Sequence, residues 1–381
     1  MTKIYWRQRA VSKTALLLIS LLSLGGIVLV ESVRVEKKQD GYDQKLAATE
    51  KVVKAFSIIR EARLATDHPI DLNDDPTNSG LIGLPMSLIT SVTGALEAKR
   101  TSINPNFAAV LIDMLTRAGV KEGDSVAVGM SGSFPALNIA VCCALETMKV
   151  KPLIISSTSA SQWGANVPEL TWLDMERLLE EADIISFRSF AASVGGHEDT
   201  GRGLTQEGKE LIAAAMQRNK IPSLETKDSF EASVDQRMDG FNRKAEGRAI
   251  KAYLNVGGGA VSVGSSVGKK LFKPGLNKKT PAGVVKADGV MSRFSQKKIP
   301  VIHLVQVLEL AQDYEMTLSP SALPEVGRAN VFNSREYSKA TCVVVLVVIL
   351  ASLFAFIRSD FASRLFHKAA TPKDSTPEPM V

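Results

Sequence analysis

Ser125-Val126-Ala127-Val128-Gly129-Met130, then Ser131-Gly132-Ser133, then Phe134-Pro135-Ala136-Leu137-Asn138, read as a short apolar strand, a small polar turn and the opening of a helix. That helix is expected over residues 134–148, and residues 152–156 form the next strand-like run. Strand, helix, strand at this spacing makes a right-handed crossover between parallel strands. The alternation continues on both sides. Residues 106–117, closed by Gly119, read as a helix; after residue 156 come a helix over 171–181, a strand over 183–187, helices over 205–218 and 230–244, and a strand over 250–256. Residues 299–314 are ambiguous, and their length with the spacing of Val305, Leu308 and Ala311 favours a helix. The predicted fold class is α/β, a mostly parallel sheet with flanking helices.

Two apolar runs bracket this region. Residues 14–30 and 341–357 are each 17 residues long and free of charge. At 1.5 Å per residue each makes a helix of roughly 25 Å, just short of a ~30 Å hydrocarbon core. A cleaved leader is the alternative for the first, but residues 27–35 offer no small-x-small cleavage site. Two spans put both ends on one side. Lys3, Arg7, Arg9 and Lys13 with no acid make the N-terminal end cytoplasmic by the positive-inside rule, and the bulk of the chain extracytoplasmic. The expected division is a basic tail over 1–13, a span over 14–30, a helical stalk with an acidic loop over 31–80, an exported α/β domain over 81–340, a second span over 341–357 and a tail over 358–381.

Charge follows the same division. The chain carries 46 Lys and Arg against 40 Asp and Glu, but residues 31–340 hold 38 against 37. A nearly neutral body argues against a nucleic-acid partner. The basic residues that stand out locally are Lys269, Lys270, Lys273 and their neighbours up to Lys298, among which Asp288 is the single acid. With only Phe272 and Phe294 interleaved, base stacking is not suggested, and lipid headgroups or an anionic polymer fit better.

Within 41–65, Leu46, Val53, Phe56, Ile59 and Ala62 recur at near-helical spacing, giving an amphipathic helix expected to pack on the domain. Asp71, Asn73 and Asp75 invite a calcium-loop reading, which fails because Pro76 and Ile82 stand where Gly and Glu are needed; a solvated acidic turn is expected instead. Cys142 and Cys143 are adjacent, poor disulfide partners, and read as small core residues. Trp163 and Trp172 read as core anchors. Three Cys and four His show no metal-ligand spacing, and no metal or cofactor is expected.

Ligands of parallel sheets sit at the carboxyl ends of the strands, so the loops there carry the candidate site. Gly129, Ser131, Gly132 and Ser133 follow one strand and open a helix, offering backbone N–H groups to an anion. Ser131 also sits where a G-x-S-x-G nucleophile elbow has its serine, although Ser133 replaces the last glycine. A nucleophile needs a base, for which His197, in the glycine-studded loop Gly195 to Gly203, and His303 are available. Ser159 and Ser161 follow the next strand, and Gly257, Gly258 and Gly259 a later one. Capping of a helix by Ser133, anion binding, and nucleophilic chemistry at Ser131 all remain open for the first loop.

The run Val126 to Asn138, the run Ser159-Ala160-Ser161-Gln162-Trp163-Gly164-Ala165-Asn166 with Thr171-Trp172-Leu173-Asp174-Met175-Glu176 after it, and the two-span layout resemble the bacterial poly-γ-glutamate system protein family over nearly the whole chain. The resemblance implies a membrane component that accompanies the synthase subunits making and exporting this capsule polymer, with the polymer, those subunits and the bilayer as partners. It brings no catalytic positions. The polymer carries one free carboxylate per residue, which suits loops and lysines that favour anions. The rival reading is an exported serine hydrolase or transferase that trims or attaches the polymer through Ser131.

Overall fold

The computed structural model describes residues 13–227, 229–264 and 268–358. The basic tail over 1–12, the C-terminal tail over 359–381, Asp228 and residues 265–267 lie outside the described residues. The chain divides into two compact units, Lys38–Asn333 and the two flanking segments Met1–Lys37 with Ser334–Val381.

The larger unit is a mixed α/β body built on six strands: β1 (Ser125–Ser131), β2 (Lys151–Ser157), β3 (Ala191–Ser193), β4 (Ile250–Val256), β5 (Gly275–Asn277) and β6 (Val301–Leu304). Their order across the sheet is β5-β6-β4-β1-β2-β3, parallel throughout except for the antiparallel edge strand β5. The chain steps from β1 outward through β2 to β3, then returns to place β4 on the other side of β1. The order therefore reverses between β1 and β4, where Gly129 lies opposite Asn255. A reversal of this kind opens a crevice beyond the carboxyl ends of the two strands.

Alternation along β1 explains why both faces are covered. Val126, Val128 and Met130 join one buried cluster with Ile154, Leu254 and Ile302, whereas Ala127 joins another with Leu153, Ile155 and Tyr253. The first cluster is closed by α1 (Tyr42–Leu64), α2 (Phe107–Arg117), α3 (Pro135–Thr147), α4 (Trp172–Glu181) and α5 (Gln206–Arg218); the second by α6 (Phe230–Ala245) and α7 (Val290–Gln296). Ala48, Val52, Ala55, Phe56 and Ile59 of α1 are buried, so this helix is built into the body and is not a free stalk. Cys142 and Cys143 are unpaired and buried within α3, and Trp172 is fully buried.

Three expectations need correction. Residues 183–187 form no strand: Asp183 adopts a left-handed conformation (φ 54°) at the end of α4, and the sheet is joined only from Phe190, whose N–H donates to Ile154 O at 3.0 Å. Residues 299–314 divide into the strand β6 and the short helix Val307–Asp313, separated by Gln306 at φ 48°. All four residues of β6 are buried, so the two-residue alternation that marks a strand is absent there. The acidic loop is a turn but not a solvated one at Asp75, whose buried carboxylate accepts from Ser79 Oγ at 2.9 Å and Gly80 N at 2.8 Å. Its neighbour Asp74 accepts from Trp163 Nε1 at 2.9 Å, which anchors that ring.

The smaller unit contains the helices Lys13–Ser32 and Lys339–Arg358 with a two-stranded ribbon of Arg34–Lys38 and Asn333–Tyr337. An 18-residue window, Lys339–Phe356, has a mean hydropathy of 2.5 with none of it buried, and among the described residues it is the one segment long and apolar enough to cross a membrane. The apolar part of the first helix, Leu16–Ser32, falls just below that length. The two helices lie side by side: a Cβ on Gly26 would come within 2.5 Å of Val345 Cγ1.

Candidate functional site

At the reversal between β1 and β4 lies a cavity of about 400 Å³. Its floor is the carboxyl end of β1 and β4, with Gly129, Ser131 and Asn255. One wall is Ser159 and Ser161 after β2; another is Gly258 and Gly259 after β4; His197 and Gly195 come from the loop after β3. The three strand-following loops expected to carry the site thus converge, and Ser133 lines the cavity with them. Gly132 and Gly257 stand behind the wall. A Cβ on Gly132 would meet Ser159 O at 3.0 Å, and one on Gly257 (φ +89°) would meet Ser131 Cβ at 3.3 Å. Among the described residues nothing lies within 4 Å of a Cβ built on Gly258 or Gly259, which leaves room for a ligand on the side of the cavity that these two residues form.

The basic stretch is elsewhere. Lys270 and Lys273 are exposed and do not line the cavity, and the side chain of Lys269 lies outside the described residues. Ser131 is also poorly placed as a nucleophile. Its Oγ accepts from Ser133 N at 3.1 Å, and among the described residues no base hydrogen-bonds to it. His197 sits at the rim with a side chain 60% exposed and Glu198 Oε1 at 3.7 Å. His303 is buried outside the cavity, bonded through Nδ1 to Asn255 Nδ2 at 3.0 Å, and burial depresses it to about 4, so it is neutral.

The charges inside the cavity come from residues the sequence did not single out. Lys99, on the short helix Leu96–Ser102, is 2% exposed and lines the cavity. Its Nζ donates to Ser133 O, lies 2.8 Å from Ser161 Oγ and sits 3.8 Å from the centre of the Phe134 ring. No carboxylate joins these contacts, and burial pulls the ammonium down to about 7. A buried charge without a counter-ion is costly, which is why its acidity changes so far.

Arg237 of α6 is the second cation. It pairs with Asp199 and donates to Ser193 Oγ at 2.9 Å, and both charged side chains are nearly buried. Asp199 Oδ1 in turn accepts from Ser193 Oγ at 2.7 Å and Gly195 N at 3.1 Å. This pair fixes the loop that brings His197 to the rim. Gly195 itself has φ +80°, and a Cβ there would fall 2.3 Å from Ser159 Oγ, so only glycine lets this loop approach the serine wall. With Arg237 neutralised by Asp199, a protonated Lys99 gives the cavity one net positive charge.

No protein family, curated protein or solved structure matches this chain.

Proposed function

We propose that the chain is a membrane-tethered accessory component of a poly-γ-glutamate synthesis and export system, whose body takes a carboxylate of the polymer into the cavity beside Lys99. The observation that carries this reading is the buried, carboxylate-free Lys99 in a cavity walled by serine hydroxyls and glycine backbone. An anionic group entering there supplies the missing counter-charge, and Gly258 and Gly259 leave room for the chain that bears it. Both runs that carry the family resemblance, Val126 to Asn138 and Ser159 to Asn166, contribute to the wall of this cavity.

The proposed topology has both apolar helices embedded in the cytoplasmic membrane, both termini cytoplasmic and the body outside, where it meets the nascent polymer and the synthase subunits. The acid-free N-terminal tail and the apolar, uncovered surface of Lys339–Phe356 support it. Binding of the detergent-solubilised full chain to poly-γ-glutamate fragments, measured at low and moderate salt, tests the ligand. Affinity is expected to fall with salt and to be lost in Lys99→Met. No binding at either salt, together with no synthase subunit in pull-downs, rejects the function. Protease added to intact spheroplasts should cut the body; protection until lysis rejects the topology.

A further inference from the structure

We propose that Ser161 and Lys99 are a nucleophile and general-base pair that transfers an acyl group in this cavity, acting on an amide with a free carboxylate nearby. The carboxylate in that substrate rests on the function proposed above; the pair itself does not. Ser161 Oγ and Lys99 Nζ are 2.8 Å apart, both residues are buried, and both line the cavity. Ser131, the serine that resembles a nucleophile in sequence, has no such neighbour among the described residues.

The surroundings hold both groups still. Ser161 belongs to the strand Ala160–Ser161, which pairs with Thr90–Val92, and its own N–H donates to Ser133 Oγ at 3.0 Å. The helix carrying Lys99 begins four residues after Thr90–Val92 ends. The contacts of Nζ suit either protonation state. A neutral amine donates to Ser133 O, turns a second N–H to the Phe134 face and accepts the Ser161 proton; an ammonium donates to all three. The Ser161 hydroxyl donates to Gln162 O at 3.4 Å, so a rotation about its Cβ–Oγ bond turns the proton toward the lone pair of a neutral Nζ. Burial, which lowers Lys99 to about 7, makes the neutral base available at neutral pH. Among the other titratable groups of the cavity, Asp199 and Arg237 bond each other, Tyr253 Oη bonds Ser262 Oγ at 2.6 Å and His197 lies at the exposed rim; none hydrogen-bonds Lys99.

In the reaction, Ser161 Oγ forms a bond to the amide carbonyl carbon as its proton moves to Nζ. Collapse of the adduct breaks the C–N bond, and the leaving amine takes the proton from the Lys99 ammonium. An ester remains on Ser161. A water molecule or an acceptor amine then attacks that ester and gives its proton to Nζ, and the C–Oγ bond breaks as Ser161 recovers the proton. No oxidant, metal or cofactor enters the balance.

The test is reaction of the full chain in detergent with a fluorophosphonate probe, the modified residue being located by peptide mass spectrometry. Phosphonylation is expected at Ser161, with a rate that rises with pH about a midpoint of about 7. Ser161→Ala should abolish it, and Lys99→Met should slow it on the order of 100-fold while the thermal melt shows a folded protein. Should Lys99→Met not fold, the site of modification and the pH profile of the native chain decide the matter. Modification at Ser131 instead, no modification of the native chain up to pH 9, or an unchanged rate in folded Lys99→Met overturns the pair. Polymer binding measured on the same samples separates the two claims: modification at Ser161 without polymer binding leaves the pair standing and removes the proposed ligand, and the converse does the opposite.

Discussion

Replacing Lys99 by Met should remove a pH dependence of stability that the native chain shows between pH 7 and 9. The unfolded lysine titrates near its ordinary value of 10.5, whereas burial holds the folded one at about 7. Between those values the unfolded chain binds a proton that the folded chain does not, so folding becomes more favourable as pH rises. Each pH unit is worth about 1.4 kcal/mol for one proton, and Lys99 is still half protonated at pH 7, which brings the gain by pH 9 to about 2 kcal/mol. At 2% exposure there is little solvent to screen the effect.

Other buried groups titrate near this window and contribute alike to the native chain and to Lys99→Met. Glu176, raised to about 7 by burial, lowers stability as pH rises from about 4.5, while His303, lowered to about 4, raises it over nearly the same interval. These two slopes oppose each other below pH 7. From about pH 8 the thiols of Cys142 and Cys143, both raised by burial from 9.0, lower stability as pH rises, and above pH 9 Tyr253, raised to about 12, adds to that trend. Urea unfolding in detergent, followed by tryptophan fluorescence at pH 7, 8 and 9, measures the slope. Lys99→Met, in which Glu176 and the two thiols still titrate, should lose stability across the series, and the native chain should gain about 2 kcal/mol relative to it. Equal slopes in the two proteins would refute the claim that Lys99 is buried without a counter-ion.

Asp199→Ala should cost about 3 to 5 kcal/mol, because it leaves Arg237 buried and unpaired, and the loop around His197 should become the first site of limited proteolysis. Gly195→Ala should lower the thermal midpoint markedly, since a Cβ at φ +80° lies 2.3 Å from Ser159 Oγ, whereas Gly258→Ala, with nothing within 4 Å, should melt normally and weaken polymer binding in a titration. The double substitution Lys270→Gln with Lys273→Gln, outside the cavity, should leave polymer affinity within about twofold of native at moderate salt, where exposed charges are screened.

Much of the body was legible because its central strands are apolar and its helices long. The strand Ile250–Val256 and the helices Phe107–Arg117 and Gln206–Arg218 fall where spacing and flanking residues place them. The strand Ala191–Ser193 escaped notice because Ala-Ala-Ser has no β-branched or aromatic residue, and its place is set by pairing with Ile155 to Ser157. Ile184 and Ile185 are buried as their character suggests, but in the turn after the preceding helix. The serine and glycine loops could be found because strand ends are where ligands gather. Lys99 could not: Glu97-Ala98-Lys99-Arg100 reads like any solvent-facing helical turn, and the groups that meet its ammonium, Ser133, Phe134 and Ser161, are distant in sequence. Asp174, in the run Thr171 to Glu176, serves the fold: it accepts from Thr171 Oγ1 at the start of its helix and from Arg218 and Asn219, away from the cavity.

The body starts and finishes side by side, where Gln39 N donates to Phe332 O at 2.8 Å and Gln39 Nε2 to Asn330 O at 2.7 Å, and the chain on each side of this junction continues toward its own apolar helix. Under the proposed topology the exported part is a closed loop in its attachment. One protease nick anywhere within it leaves both fragments held by an anchor and by the shared core, so a cell cannot shed this domain with a single cleavage. Release into the medium takes two cuts, one on each side of that junction.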